Sequence, residues 1–130
     1  MEKSKIIKKY QIVIVDDSPT IHAIMKRYLE ADEIEIISCM NGAEGIEYLK
    51  TNRPDLIFLD IIMPQKDGLE VLREIRESEN NAQTPVIMLS SKDYDQDKKS
   101  AYALGATAFL SKPPIKQQLQ DKLTQFLSQK

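Results

Sequence analysis

Apolar residues in this chain follow two rhythms. Short unbroken runs, Ile12 to Val15, Leu56 to Leu59, Val86 to Leu89 and Ala108 to Leu110, alternate with longer stretches in which apolar positions recur every three or four residues. Short, β-branched and unbroken runs are the mark of strands buried on both faces, and the three-to-four spacing marks helices with one buried stripe. Gln11 to Val15 therefore reads as the first strand. Ser18 can cap the helix that follows, Pro19 suits its first turn, and Ile21, Ile24, Met25, Tyr28 and Leu29 give its buried face. Glu33-Ile34-Glu35-Ile36 alternates instead, as an edge strand does. Asn41-Gly42 makes a turn, and Ala43, Ile46 and Leu49 line a second helix that ends before Pro54, with Gly45 inside it costing about 1 kcal/mol relative to Ala.

The third strand, Leu56 to Leu59, leads into a loop from Ile61 to Gly68 and a helix carrying Leu69, Val71, Leu72 and Ile75. A polar loop from Glu77 to Thr84 precedes the fourth strand, Val86 to Leu89. The charged stretch from Asp95 to Lys99 begins a helix that Gly105 closes. After the fifth strand, Pro113-Pro114 breaks the chain, and Leu119, Leu123, Phe126 and Leu127 mark a last amphipathic helix. Five strands alternating with five helices through short loops require each helix to cross over the sheet. The expected fold is α/β: a doubly wound five-stranded parallel sheet, flavodoxin-like in its order 2-1-3-4-5, with five helices on two faces. Residues 1–10 form a polar tail and 11–130 a single domain.

Parallel strands share a direction, so the residues that end these runs collect on one rim of the sheet, where open α/β folds bind their ligands. Those residues are Asp16 and Asp17, Asp60, Ser90 and, shortly after the fifth run, Lys112. In the order 2-1-3-4-5, strands one and three are neighbours and the chain switches face between them, so Asp16, Asp17 and Asp60 meet.

Three carboxylates within a few ångströms repel by roughly 3 kcal/mol per pair at an effective dielectric of 20. A shared proton could offset this, but a lysine and a hard dication suit an all-oxygen cluster better; Mg²⁺ takes one or two carboxylates and leaves positions for water and phosphate. The set reads as a phosphoryl-transfer site with a cationic Lys112, a hydroxyl on Ser90 and Asp60 as the carboxylate nucleophile. Small Ser91 leaves room beside it. Taken singly, an Asp-Asp pair after a strand is an ordinary helix-cap feature and a lone lysine an ordinary surface ion pair. Their joint placement at matching strand ends is what carries the functional reading.

Composition narrows the partners. The 130 residues hold 18 Lys plus Arg against 20 Asp plus Glu, a net charge of −2, which removes the general electrostatic case for nucleic acid or an anionic membrane. Cys39 is the single cysteine and fits a reducing, cytoplasmic setting; no run has the length of a signal peptide core or a membrane helix. His22, the single histidine, falls between Ile21 and Ile24 and is expected to face solvent.

The motifs IVIVDDSPT, LIFLDIIMPQKDG, VIMLSS and GATAFLSKPP, from about Gln11 to Phe126, resemble the receiver domain of two-component response regulators, nearest to the single-domain chemotaxis type. The resemblance implies that Asp60 accepts a phosphoryl group from a phosphohistidine on a sensor kinase or phosphotransfer protein. It implies that Asp17, Asp60 and the backbone carbonyl of Ile62 bind Mg²⁺ or Mn²⁺, with Asp16 reaching the ion through water. Ser90 would bond a phosphoryl oxygen, Lys112 would pair with the phosphate, and Phe109 would be the aromatic switch, without the hydroxyl of a Tyr. A cis Lys112-Pro113 bond and an output surface on the fourth helix, fifth strand and fifth helix, with Tyr102 on it, also follow from the resemblance. Ile62 places an apolar side chain beside the acceptor, which predicts a slowed attack of water and a longer-lived acyl phosphate; Lys92 puts a cation nearby.

Competing readings are weaker. An interaction module that works without phosphorylation usually lacks an acidic residue or the lysine, and all are present. A flavin protein of the same strand order cradles phosphate in a hydroxyl-rich loop, where Asp16-Asp17-Ser18 would repel it. A dehalogenase-type phosphatase would want an Asp at position 62. No glycine-rich nucleotide loop occurs. The starting Met1 and the absence of a linker favour a stand-alone protein that does not itself bind nucleic acid.

Overall fold

Each apolar run becomes a strand and each periodic stretch a helix. In the computed structural model, which describes residues 10–91 and 95–127, the order is β1 (Tyr10–Val15), α1 (Pro19–Leu29), β2 (Ile34–Cys39), α2 (Gly42–Leu49), β3 (Leu56–Asp60), α3 (Gly68–Glu77), β4 (Val86–Ser90), α4 (Asp95–Ala103), β5 (Ala108–Ser111) and α5 (Lys116–Leu127). The sheet is parallel throughout and ordered β2-β1-β3-β4-β5. Most of the 1–10 tail, Lys92 and Asp93 lie outside the described residues.

The unbroken runs are explained by the two layers of core. Side chains alternate across a strand, so Val13, Val15, Ile57, Leu59, Val86 and Met88 pack under α2, α3 and α4. Ile12, Ile14, Leu56, Phe58, Ile87 and Leu89 pack under α1 and α5, against Met25, Leu29, Leu119 and Leu127. A strand that feeds both layers has no solvent face and so no polar alternation.

Several boundaries differ from the expectation. β2 continues to Cys39 because Ile37 and Cys39 pair with Val13 and Val15; the alternation of 33–36 marks only its exposed start. Asn41 is a helix cap, not the corner of a free turn, since its side-chain oxygen accepts the Glu44 N–H at 2.8 Å. Gly68 opens α3 and does not end the loop. Asp67 caps that helix in a reciprocal box with Glu70. The buried stripe of α1 is His22, Met25 and Leu29, with Ile21, Ile24 and Tyr28 only half-buried at its edges. His22 therefore faces inward, not to solvent: it stands three residues before Met25 and seven before Leu29, on the same line of the helix.

At the rim opposite the strand ends, the loop 78–85 is a hydrogen-bonded bracket. Buried Asn81 donates to Leu49 O at 3.0 Å and Asn52 O at 3.1 Å and accepts the Thr84 hydroxyl at 2.9 Å. Arg76 reaches Gly105 O at 2.9 Å and Asn81 O at 3.0 Å, tying α3 to the turn before β5. Gly105 sits there at φ +103°, the left-handed region that glycine adopts without a Cβ clash. Among the described residues no helix is long and apolar enough to cross a membrane.

Candidate functional site

β1, β3, β4 and β5 deliver their terminal polar residues to one rim. Asp16 N–H donates to Cys39 O at 3.1 Å, continuing the β1–β2 ladder by one residue and turning the Asp16 side chain into the sheet edge. That side chain is fully buried. Its Oδ1 accepts the Ser18 N–H at 2.8 Å, while Oδ2 faces Lys112 Nζ at 2.8 Å without an aligned hydrogen bond. Asp60, paired in register with Leu89, is 3% exposed. Its Oδ1 lies 3.2 Å from Lys112 Nζ and accepts the Ile62 N–H at 3.4 Å.

Lys112 precedes Pro113 across a cis peptide bond, and its own N–H donates to Ser90 O at 2.7 Å, which fixes its backbone to the end of β4. Its ammonium is shared by two buried carboxylates. Ser90 is buried beside them, Ser91 and Asp17 are exposed, and Ile62 is 58% exposed. Carboxylate oxygens of Asp16, Asp17 and Asp60 lie within 4.8 Å of one another. The structure thus brings Lys112 into direct contact with Asp16 and Asp60 and places an Asp17 oxygen within 4.8 Å of theirs, with Ser90 at the adjoining strand end. Phe109 stands apart on β5, half-buried, with Lys98 Nζ 5.6 Å from its ring centroid.

The electrostatics follow from burial. Loss of hydration pushes the Asp60 carboxyl up to about 6 from 3.8, and the neighbouring Asp16 charge adds to this; Lys112 and the Ile62 N–H oppose it. Burial alone would lower the Lys112 ammonium, but Asp16 and Asp60 outweigh it and hold the group above its ordinary value. Cys39, buried on the α2 face of β2, has its thiol pushed up to about 11 by burial and then by Glu44, which keeps it protonated near neutral pH.

The donor set fits a hard dication. Three carboxylates against one ammonium leave two negative charges, and all the ligand atoms are oxygen.

Sequence reasoning missed two residues that shape this rim. His22 donates a ring N–H to Asp16 O at 2.7 Å, and its offset from Met25 and Leu29 was the available signal. Gly68 packs its backbone onto Asp60: a Cβ there would stand 2.0 Å from Asp60 O and 2.7 Å from Ile61 Cα. Its N–H donates to Ile61 O at 2.7 Å. The Asp-Gly pair before an apolar periodic stretch marks a helix start, but nothing in it says what the glycine touches.

Comparison with known proteins converges on one family. The response regulator receiver domain family matches residues 12–124. The alkaline phosphatase synthesis transcriptional regulatory protein PhoP of Bacillus subtilis is 34% identical over 103 residues, covering 79% of this chain and 42% of its own length. Response regulator GtcR of Aneurinibacillus migulanus is 37% identical over 102 residues, covering 78% and 41%. The chain thus spans about two-fifths of the length of these relatives. Among solved structures, the chemotaxis protein CheY4 of Vibrio cholerae superposes with a TM-score of 0.84 at 27% identity, over 90% of this chain and 98% of that one. The receiver domain of sensor histidine kinase PA1611 of Pseudomonas aeruginosa, with magnesium coordinated in its active site cleft, gives 0.83 at 25% identity, over 92% and 98%.

Proposed function

The chain belongs to the response regulator receiver domain family of two-component signalling, and from that premise we propose that Asp60 is its phosphoacceptor and that the phosphorylated state switches a distal protein-binding face. The observation that carries this reading is the cluster of Asp16, Asp17 and Asp60 at one rim of the sheet, with the Lys112 ammonium against two of them, Asp16 and Asp60. An Asp60 carboxylate oxygen attacks phosphorus of a partner's phosphohistidine; the new P–O bond forms as the P–N bond breaks, and the imidazole leaves with the electron pair. The donor is a sensor kinase or a phosphotransfer protein. Small acyl phosphates serve as well, so the chain catalyses its own phosphorylation and, through water, its own dephosphorylation.

Asp17, Asp60 and the Ile62 backbone carbonyl would hold Mg²⁺ or Mn²⁺, with Asp16 reaching it through water, and the ion would supply positive charge for the phosphoryl oxygens. Lys112, already shared between Asp16 and Asp60, pairs with the phosphate. Ser90, buried at the end of β4, donates its hydroxyl to a phosphoryl oxygen, and Phe109 turns inward with that movement. The readout face is α4, β5 and α5, with Tyr102 50% exposed on it, and its partner is a protein, not nucleic acid. Residues 11–130 form the receiver unit behind the 1–10 tail, and a cytoplasmic setting fits the buried free thiol of Cys39.

The test is direct. Incubated with Mg²⁺ and a small acyl phosphate, the wild-type chain gains one phosphoryl adduct in its intact mass, and Asp60→Asn does not. No adduct on the wild type, or equal adducts on both, overturns the assignment and favours an interaction module that works without phosphorylation.

A further inference from the structure

Asp16 is held by more than its strand. Its N–H is bonded to Cys39 O, its Oδ1 to the Ser18 N–H, its Oδ2 faces Lys112, and its main-chain oxygen accepts from the His22 ring at 2.7 Å. Two of these four contacts come from the start of α1, its cap Ser18 and His22, and both fall on Asp16: one on its carboxylate and one on the carbonyl of the Asp16–Asp17 peptide. A carbonyl oxygen can only accept, so the Nε2 of His22 carries the proton, and Nδ1 is left as a buried atom with no hydrogen-bond partner. His22 is 5% exposed. A side chain chosen to fill the α1 stripe would be apolar, like Met25 and Leu29, and would bury no unpartnered nitrogen. The contact that its other nitrogen makes offsets that cost.

We propose that His22 is a positioning residue for the divalent-cation site: its Nε2–H fixes the orientation of the Asp16–Asp17 peptide and so aims the exposed Asp17 carboxylate at the oxygens of Asp16 and Asp60. This rests on the reading of that cluster as a Mg²⁺ site. Asp17 has no burial to hold it, and the peptide that precedes it is its nearest rigid reference. With the Asp16 carbonyl released, the peptide can rotate without breaking the Cys39 bond, and Asp17 swings away from the other two ligands. Groups that orient metal ligands through hydrogen bonds commonly cost ten- to a hundredfold in affinity when removed.

The experiment compares Mg²⁺ binding by titration calorimetry for the whole wild-type chain, H22L and H22Q. Gln places an amide N–H near the Nε2 position; Leu fills similar space and donates nothing. H22L is expected to bind Mg²⁺ about tenfold more weakly, with H22Q close to the wild type. Equal affinities in all three, or an equal loss in both variants, overturn the role of His22. A wild-type chain that takes up no Mg²⁺ overturns the metal-site reading beneath it as well, so the two failures are distinct. The ring ¹⁵N spectrum of the wild-type protein needs no variant: a protonated Nε2 coupled to the Asp16 carbonyl carbon is expected. A ring protonated only at Nδ1 overturns the proposal even where H22L does not fold.

Discussion

Asp60 sits where a carboxylate is least at ease, with its hydration removed and Asp16 beside it, and that sets a testable pH dependence. Its folded-state pKa of about 6 lies above the ordinary 3.8. A raised pKa means that the native state binds the proton more tightly than the unfolded chain, so this group's contribution to stability is present at low pH and lost as pH rises through about 6. In metal-free protein, Asp60→Asn should therefore raise the urea midpoint over the wild type more at pH 7 than at pH 5. The carboxyl ¹³C resonance of Asp60 should titrate near 6 and move down in Asp16→Asn, which removes the second cause of the shift. An unshifted resonance contradicts the burial argument. Two residues on, Ile62 exposes an apolar side chain at the mouth of the site, and Ile62→Asn should shorten the lifetime of the acyl phosphate by admitting and orienting water. Decay of the ³²P-labelled adduct measures this; equal half-lives would refute it.

At the scale of elements, the start of α3 matters more than its length. α3 begins on Gly68 because the helix backbone lies against the carbonyl of Asp60, with 2.0 Å from that oxygen to where a Cβ would stand. Gly68→Ala must push α3 away from β3 or displace the Asp60 peptide. The expected cost is about 3 kcal/mol or more, as for overpacking against rigid backbone, together with a loss of adduct formation; a urea midpoint unchanged from the wild type would show that α3 moves freely. Gly45 plays a milder part under α2, where an added Cβ would meet Val15 Cγ2 at 3.0 Å, the side chain next to Asp16. The sequence marks Gly45 only as a helix-weakening residue; the approach of α2 to β1 is the reason for it. α1 gives the same lesson, because its apolar positions define an arc whose centre the packing chooses, and the centre includes His22.

For the whole molecule, a ligand that binds only the folded state stabilises it by mass action. Mg²⁺ at a hundredfold excess over its Kd should add about 2.7 kcal/mol and raise the melting temperature, more at pH 7 than at pH 5 because the proton on Asp60 competes with it. Chelation should reverse the gain, and Asp60→Asn should reduce it; a melting temperature indifferent to Mg²⁺ would refute the cation site. The fold was legible in the chain because both of its layers are written into single runs: residues of alternating parity in β1, β3 and β4 feed opposite cores, and strands apolar on both faces need cover on both. The rim was legible for a related reason, since parallel strands leave their carboxyl ends together whatever the helices do. Spacing alone therefore determined that Asp16, Asp17, Asp60, Ser90 and Lys112 share one edge. Only the tertiary structure decided which atoms meet: that one ammonium serves both Asp16 and Asp60, that His22 turns inward to hold the Asp16 carbonyl, and that Gly68 carries no side chain because Asp60 occupies its space. Those contacts join residues of different elements at distances set by close packing, and a pattern along one chain does not encode the rotation of one element against another.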